Sequence, residues 1–208
     1  MSTAGEGIDV ALVRHGLPLR VEGVTRPDPQ LSESGLAQAR AVAEVMKLLP
    51  VSVIASSDLT RAQQTAAPTA DKLGITVDIH DDLAEFDNGA DYYVPIEDMI
   101  AEADPRLEVW RNSLADPEMA RIYAEFRRVA AAAVARVARA TPSGVAAIFC
   151  HGGVIAACVA KALGDVQAPL VEPRYGSVTR ITIAPDGQWK LRTYNEIHHI
   201  ERQIEGAS

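Results

Sequence analysis

The sequence predicts an α/β fold: a three-layer α/β/α sandwich, with a mostly parallel sheet, helices on both faces and a helical cap insertion. Three observations lead there. Short apolar, β-branched runs alternate with helix-length segments of 3.6-residue periodicity through the first eighty residues. Hydrophobic residues make up 48% of the chain but aromatics only 5%, so alanine and valine fill the apolar quota, as suits helices packed closely on a sheet. The stretch from Asp81 to Thr141 is acidic, then helical, and contains nothing that reads as a core strand. At 208 residues the chain fits a single domain, 1–208, with the insertion at about 81–141.

The elements follow in order. Ile8–His15 (IDVALVRH) is too short and too β-branched for an independent helix and reads as a buried strand. Leu31–Leu49 has helical spacing, with Ser32 as its N-cap and Pro50 just past its end. Val51–Ser57 is the second strand. Asp58–Leu73 is a helix that stops at Gly74, with Pro68 as a point where it can kink. Ile75–His80 alternates like a third strand. Within the insertion, Pro95–Ala103, Pro105–Leu114 and Pro117–Ala140 are helical pieces. Gly144–His151 is a fourth strand and runs into a helix, Gly152–Leu163, closed by Gly164. Ser177–Ala184 and Gln188–Asn195 flank Pro185-Asp186-Gly187 as a hairpin. The tail, Asn195–Ser208, is polar and expected to be partly mobile.

Charge and composition narrow the function. Twenty basic against 28 acidic side chains give a net charge of −8, a field that repels nucleic acid and anionic membranes. No apolar run reaches the roughly 18 residues of a membrane span, and Met1–Asp9 shows no basic apolar leader. Cys150 and Cys158 form neither a disulfide framework nor a metal cluster. The expectation is a cytoplasmic protein. Any anion site must be built from a few specific arginines, histidines and backbone amides.

Two strands end in histidine and glycine: LVRHG (Leu12–Gly16) and FCHGG (Phe149–Gly153). Ligands of open α/β sheets collect at the carboxyl ends of strands, so His15 and His151 can share one site. Gly16, Gly152 and Gly153 let a ligand approach the backbone, and an opening helix favours an anion. Taken alone, either histidine also reads as a strand-end residue bonded to a neighbouring carbonyl, and Arg14 as an edge arginine. Arg61 lies about one turn into the helix after strand two, from where a guanidinium can reach the same sheet edge and fork onto a phosphate.

Arg14-His15-Gly16, the SSDLTRAQQTA segment (Ser56–Ala66) and Cys150-His151-Gly152-Gly153 together resemble the histidine phosphatase (phosphoglycerate mutase-like) superfamily, in the same order and over nearly the whole chain. The resemblance implies that His15 is a nucleophile that becomes phosphohistidine, and that Arg14, Arg61 and His151 surround the phosphoryl group. It also implies an acid in an L-x-E-x-x-x-G context, matched by Leu83-Ala84-Glu85-Phe86-Asp87-Asn88-Gly89. Glu85 then protonates the leaving oxygen, although Asp81, Asp82, Asp87 and Asp91 crowd the segment.

This sequence departs from the family pattern after RHG, where Leu17–Glu22 lack the usual polar phosphate contacts; the alternatives are that Arg20 or backbone amides take that place, or that substrate affinity is low. Arg26, Tyr92, Tyr93 and Arg174 are open either to the substrate side or to the plain surface. His198 and His199, adjacent in an extended segment, face opposite ways and are read as structural. Cys150 should face the core as an inert thiol.

The expected reaction is metal-independent hydrolysis of a small phosphorylated metabolite, without a cofactor. The Gly-Gly after His151 resembles the phosphatase branch. A mutase-type phosphotransferase and a non-catalytic phosphate-binding module are the alternatives. The expected partner is that small substrate, with no nucleic acid and no membrane; a homodimer stays open.

Overall fold

The computed structural model of the chain describes residues 7–23, 27–86, 93–94, 96–113, 115–164 and 173–205. Its sheet has six strands: β1 (Ile8–Arg14), β2 (Val51–Ser57), β3 (Val77–His80), β4 (Val145–Cys150), β5 (Val178–Ile183) and β6 (Trp189–Glu196). Their order is β3-β2-β4-β1-β5-β6. The first four run parallel, and β5 and β6 join β1 as an antiparallel hairpin. β1 and β4 read as unbroken apolar runs because helices cover both their faces; every residue of β4 is buried.

Helices α1 (Glu33–Met46) and α2 (Thr60–Leu73) pack on one face around Val42, Met46, Ile54, Ala66, Val13 and Phe149. Helices α5 (Pro117–Ala140) and α6 (Gly152–Ala162) pack on the other around Leu12, Ile148, Val134, Ile155 and Ile181. Helix ends follow local chemistry. The Ser32 hydroxyl accepts the Gly35 amide at 3.1 Å to start α1, and Gly74 ends α2 in the left-handed region at φ 67°. That ending also shortens β3. The amides of Gly74 and Ile75 both turn back to Ala70 O, so Ile75 is spent closing the helix rather than pairing in the sheet.

Two shorter helices, α3 (Ile96–Ala101) and α4 (Pro105–Ser113), share a small cluster of Val94, Met99 and Leu107. The stretch read as an insertion therefore serves two purposes. α5 has 24 residues, about 36 Å at 1.5 Å per residue, against about 20 Å for a six-residue strand. Only its second half is buried, through Ala130, Ala131, Ala133, Val134, Val137 and Ala138, and this half is part of the sandwich itself. The first half overhangs the sheet.

The tail corrects an expectation. Residues 195–205 finish β6 and then form α7 (His198–Glu205), with His199 and Ile200 buried. His198 and His199 thus sit on a helix, not an extended segment, and His199 Nε2–H donates to Gly176 O at 2.9 Å. The described residues include no helix long and apolar enough to cross a membrane.

Candidate active site

β1 and β4 are neighbours, in register at Arg14 and Cys150. The helices that follow them leave to opposite faces, α1 to one and α6 to the other. Between two such strands a crevice opens at their carboxyl ends. The His15 amide donates to Cys150 O at 3.0 Å, which sets the two strand-end histidines side by side with ring centroids 5.0 Å apart.

His15 is held at both nitrogens. Nδ1 lies 2.8 Å from Gly16 O, and a carbonyl only accepts, so Nδ1 carries the proton and Nε2 keeps its lone pair. That lone pair faces Arg61, whose Nε–H donates to it at 3.3 Å. Burial first, then the charges of Arg61 and Arg14, push the His15 pKa well below the usual histidine range; the Gly16 bond opposes this in part. His151 is held down by burial, Arg61, His15 and Arg14, in that order. Both rings are neutral at pH 7. Neither nitrogen of His151 has a hydrogen-bond partner among the described residues, although the residue is fully buried.

The two arginines are buried and fixed. Arg14 donates from its guanidinium to Pro173 O and stacks on the Tyr175 ring at 3.8 Å; that ring also lies 5.3 Å from His15. Gly176, at φ 71°, donates its amide to both Arg14 O and His15 O at 3.1 Å. Arg61, in the first turn of α2, has Nη1 3.8 Å from Asp28 Oδ1 and its guanidinium under the Tyr93 ring at 4.6 Å. Asp28 caps α2 by accepting the Thr60 amide at 2.9 Å and the Thr60 hydroxyl at 2.6 Å.

The rest of the SSDLTRAQQTA segment ties this helix to the loop after β1. Thr65 Oγ1 donates to Arg61 O at 2.7 Å and accepts the Gly16 amide at 3.0 Å. Gln64 Oε1 accepts the Leu31 amide at 2.7 Å. The Gly16 amide is therefore not a free phosphate donor. Gly16 is needed for closeness instead: a Cβ there would stand 2.5 Å from Gly35 O.

Glu85 follows the 3₁₀ turn Asp81–Leu83 and reaches the N-terminus of α6, for which His151 is the N-cap residue. Its Oε2 accepts the Gly153 amide at 3.0 Å and its Oε1 the Phe86 amide at 2.9 Å. A Cβ on Gly153 would lie 2.2 Å from Oε1. The group that meets the amides of this helix start, beside Gly152, is thus the protein's own Glu85 carboxyl group.

The structure so gathers His15, His151, Arg14, Arg61 and Glu85, with Gly16 and Gly152, at one edge. It does not bring Arg20 among them. Arg20 is partly exposed and bonds Glu102 at 2.8 Å and Glu22 at 2.7 Å, because these carboxylates offer charge partners in water's reach. Asp82 pairs with Arg136 at 2.8 Å, which lowers its pKa. Arg174 pairs with Glu201 at 3.4 Å. Arg26, Asp87, Asn88, Gly89, Asp91 and Tyr92 lie outside the described residues. Cys150 is buried in the core, its thiol pushed up by burial. Among the described residues, no group of three or more His, Cys, Asp or Glu is placed to hold a metal.

Sequence reasoning missed Asp28, Thr65 as a tether, Tyr175 and the need for Gly153 beneath Glu85. Only Thr65 carried a local signal, four residues after Arg61 and hence on the same helix face.

A model of the histidine phosphatase superfamily (branch 1) matches residues 10–197. A probable phosphoglycerate mutase (GpmB) of Yersinia pestis is 36% identical over 112 residues, covering 51% of this chain and 49% of that protein. The chain thus spans about half the length of the curated relatives it matches. A mycobacterial glucosyl-3-phosphoglycerate phosphatase, solved as a VO3 complex, superposes with a TM-score of 0.69 at 28% identity, over 91% of this chain and 99% of that one. Bacillus stearothermophilus YhfR shares the fold with a TM-score of 0.71 at 22% identity, over 93% and 99% of the two chains.

Proposed function

The chain belongs to the histidine phosphatase superfamily (branch 1), and from that premise we propose that it is a phosphomonoester hydrolase acting on a small phosphorylated metabolite through a phosphohistidine at His15. The observation that carries this reading is the state of His15: neutral, with its proton fixed on Nδ1 by Gly16 O and its Nε2 lone pair turned to Arg61. A nucleophilic imidazole needs that tautomer.

Nε2 attacks phosphorus while the bond to the leaving oxygen breaks, and that oxygen takes a proton from Glu85. The Nδ1–H bond to Gly16 O disperses the positive charge that the ring acquires. Arg14, Arg61 and His151 donate to the equatorial oxygens, whose charge spreads in the in-line transition state. His151 is suited to this because neither of its nitrogens has a hydrogen-bond partner among the described residues. Water then attacks the phosphohistidine, gives its proton to Glu85, and the N–P electron pair returns to Nε2. The fixed cations supply the charge a metal would otherwise bring, so turnover is proposed to be metal-independent. Cytoplasmic placement belongs to the same proposal, supported by two buried free thiols, Cys150 and Cys158, a state that a reducing compartment maintains.

One observation favours a second reading, a mutase-type phosphotransferase: the likeness to the probable phosphoglycerate mutase of Yersinia pestis. A single experiment separates the two. Labelled phosphomonoester, quenched without acid, should leave an acid-labile label on the peptide holding His15, and the label should chase into inorganic phosphate. Chase into a second phosphate ester would establish the mutase. Unaltered turnover in His15→Ala would remove both.

A further inference from the structure

Resting on the phosphatase reading, we infer that Phe86, Tyr123 and Phe126 form an aromatic shelf that receives the leaving group, so that the substrate is a phosphomonoester bearing a ring with an apolar face. Such a face is offered by an aryl ring or by the C–H side of a sugar.

The three rings form one cluster. Phe86 meets Tyr123 edge-on at 5.1 Å and Phe126 at 5.4 Å, and Tyr123 stacks near-parallel on Phe126 at 5.9 Å. All three are half-buried. A cluster serving only as core would be sealed. In this one Tyr123 and Phe126 lie on the first half of α5, Phe126 packs against the edge of the core, and all three rings keep exposed surface.

Its position relative to the chemistry is fixed by two contacts. Phe86 directly follows Glu85, and a Cβ added to Gly153, whose amide Glu85 holds, would stand 3.2 Å from Phe126 Cε1. The leaving oxygen has to meet Glu85, so whatever that oxygen carries passes beside these rings. Tyr93, over Arg61 at 4.6 Å, supplies a further aromatic ring near the phosphoryl pocket. Among the described side chains, Arg20 of the adjoining loop and Arg106 of α4 are occupied by Glu22, Glu102 and Asp104. The wall beside Glu85 is apolar and aromatic, and rings pair with such walls better than acyclic chains do.

The test compares esters of alcohols of similar acidity: benzyl with ethyl phosphate for an aryl ring, and glucose 6-phosphate with glycerol 3-phosphate for a sugar. At least one ring ester should exceed its acyclic partner in kcat/KM by about tenfold, the scale of one or two aromatic contacts. Which pair shows the excess identifies the ring. Tyr123→Leu and Phe86→Leu keep apolar bulk and should cut that ratio at least about threefold, whereas Tyr123→Phe should retain it. Equal rates for ring and acyclic esters in the wild type, or a ratio unmoved by both leucine variants, would overturn the shelf while leaving the phosphatase standing. Calorimetry with benzylphosphonate against ethylphosphonate needs no turnover. A ring preference there that Tyr123→Leu removes, with no ester hydrolysed, would keep the shelf and refute the phosphatase; no preference there either would refute both.

Discussion

His15 and His151 end neighbouring strands, are equally buried and are both neutral, yet their surroundings treat them oppositely. His15 is bonded at each nitrogen, to Gly16 O and to Arg61 Nε, and its ring has one tautomer and one direction. His151 is packed by its neighbours and, among the described residues, is bonded at neither nitrogen. A buried polar atom without a partner costs on the order of 1–3 kcal/mol, so the fold sustains at His151 a cost that a phosphoryl oxygen would remove. The difference teaches that histidines can share a strand position while one is fixed by its neighbours at both nitrogens and the other is held by packing.

The contrast can be broken by substitution. His15→Ala should abolish both the label and turnover, a loss of roughly 10⁴-fold or more. His151→Ala should still take the label at His15 but slow its formation by about 10²–10³-fold, the value of one transition-state donor, with a parallel weakening of vanadate inhibition. Single-turnover kinetics separate these outcomes. Equal loss of label in both variants would erase the distinction.

A smaller effect probes the tether that holds the His15 loop, where Thr65 takes the Gly16 amide as Glu85 takes that of Gly153 beyond His151. Thr65→Val keeps the shape but leaves the buried Gly16 amide unpaired, so stability should fall by about 1–3 kcal/mol in urea unfolding. A loss below about 0.5 kcal/mol would mean the loop holds itself without Thr65.

The smallest effect is in pH. Both histidines have folded pKa values below the unfolded value of 6.5. Between those values the unfolded chain binds more protons, so their contribution makes stability fall as pH drops below about 6.5 and leaves it flat above. Each ring adds at most about 1.4 kcal/mol per pH unit to that slope. His15→Asn and His151→Asn should each make the fall between pH 6.5 and 5 shallower than in the wild type, and saturating phosphate should oppose it. Identical slopes in wild type and variants would show that the rings take up protons in the fold without penalty.

Much of this was legible in residue order. Unbroken apolar runs gave β1 and β4 because strands covered on both faces need no polar alternation, and Ser32 and Gly74 marked helix ends through backbone chemistry that acts within a few residues. What was not legible depends on distance. Asp28 caps a helix that begins at Thr60, which only folding reveals. Arg20 stood near enough to the RHG run to be read as a phosphate ligand, but its carboxylate Glu102 comes from another segment. α7 was read as a loose tail since its polar sequence hides a short buried face of His199 and Ile200. Tyr175, a lone aromatic in a loop, announced nothing until Arg14 lay across it.

α5 has a mechanical consequence. It is a rod clamped at one end: small side chains, Ala130, Ala133 and Ala138, bed its second half in the core, Phe126 packs at the edge of that bed, and Tyr123 rides beyond it. A tilt of about 3° at the clamp, carried over the roughly 18 Å of the free half, displaces the tip by about 1 Å. Exchanging one bedded alanine for a bulkier residue would lever the aromatic tip toward or away from Glu85 without altering Glu85, His15, His151 or either buried arginine. The spacing between the aromatic tip and Glu85 is therefore set at the far end of a beam, in the alanines of the core.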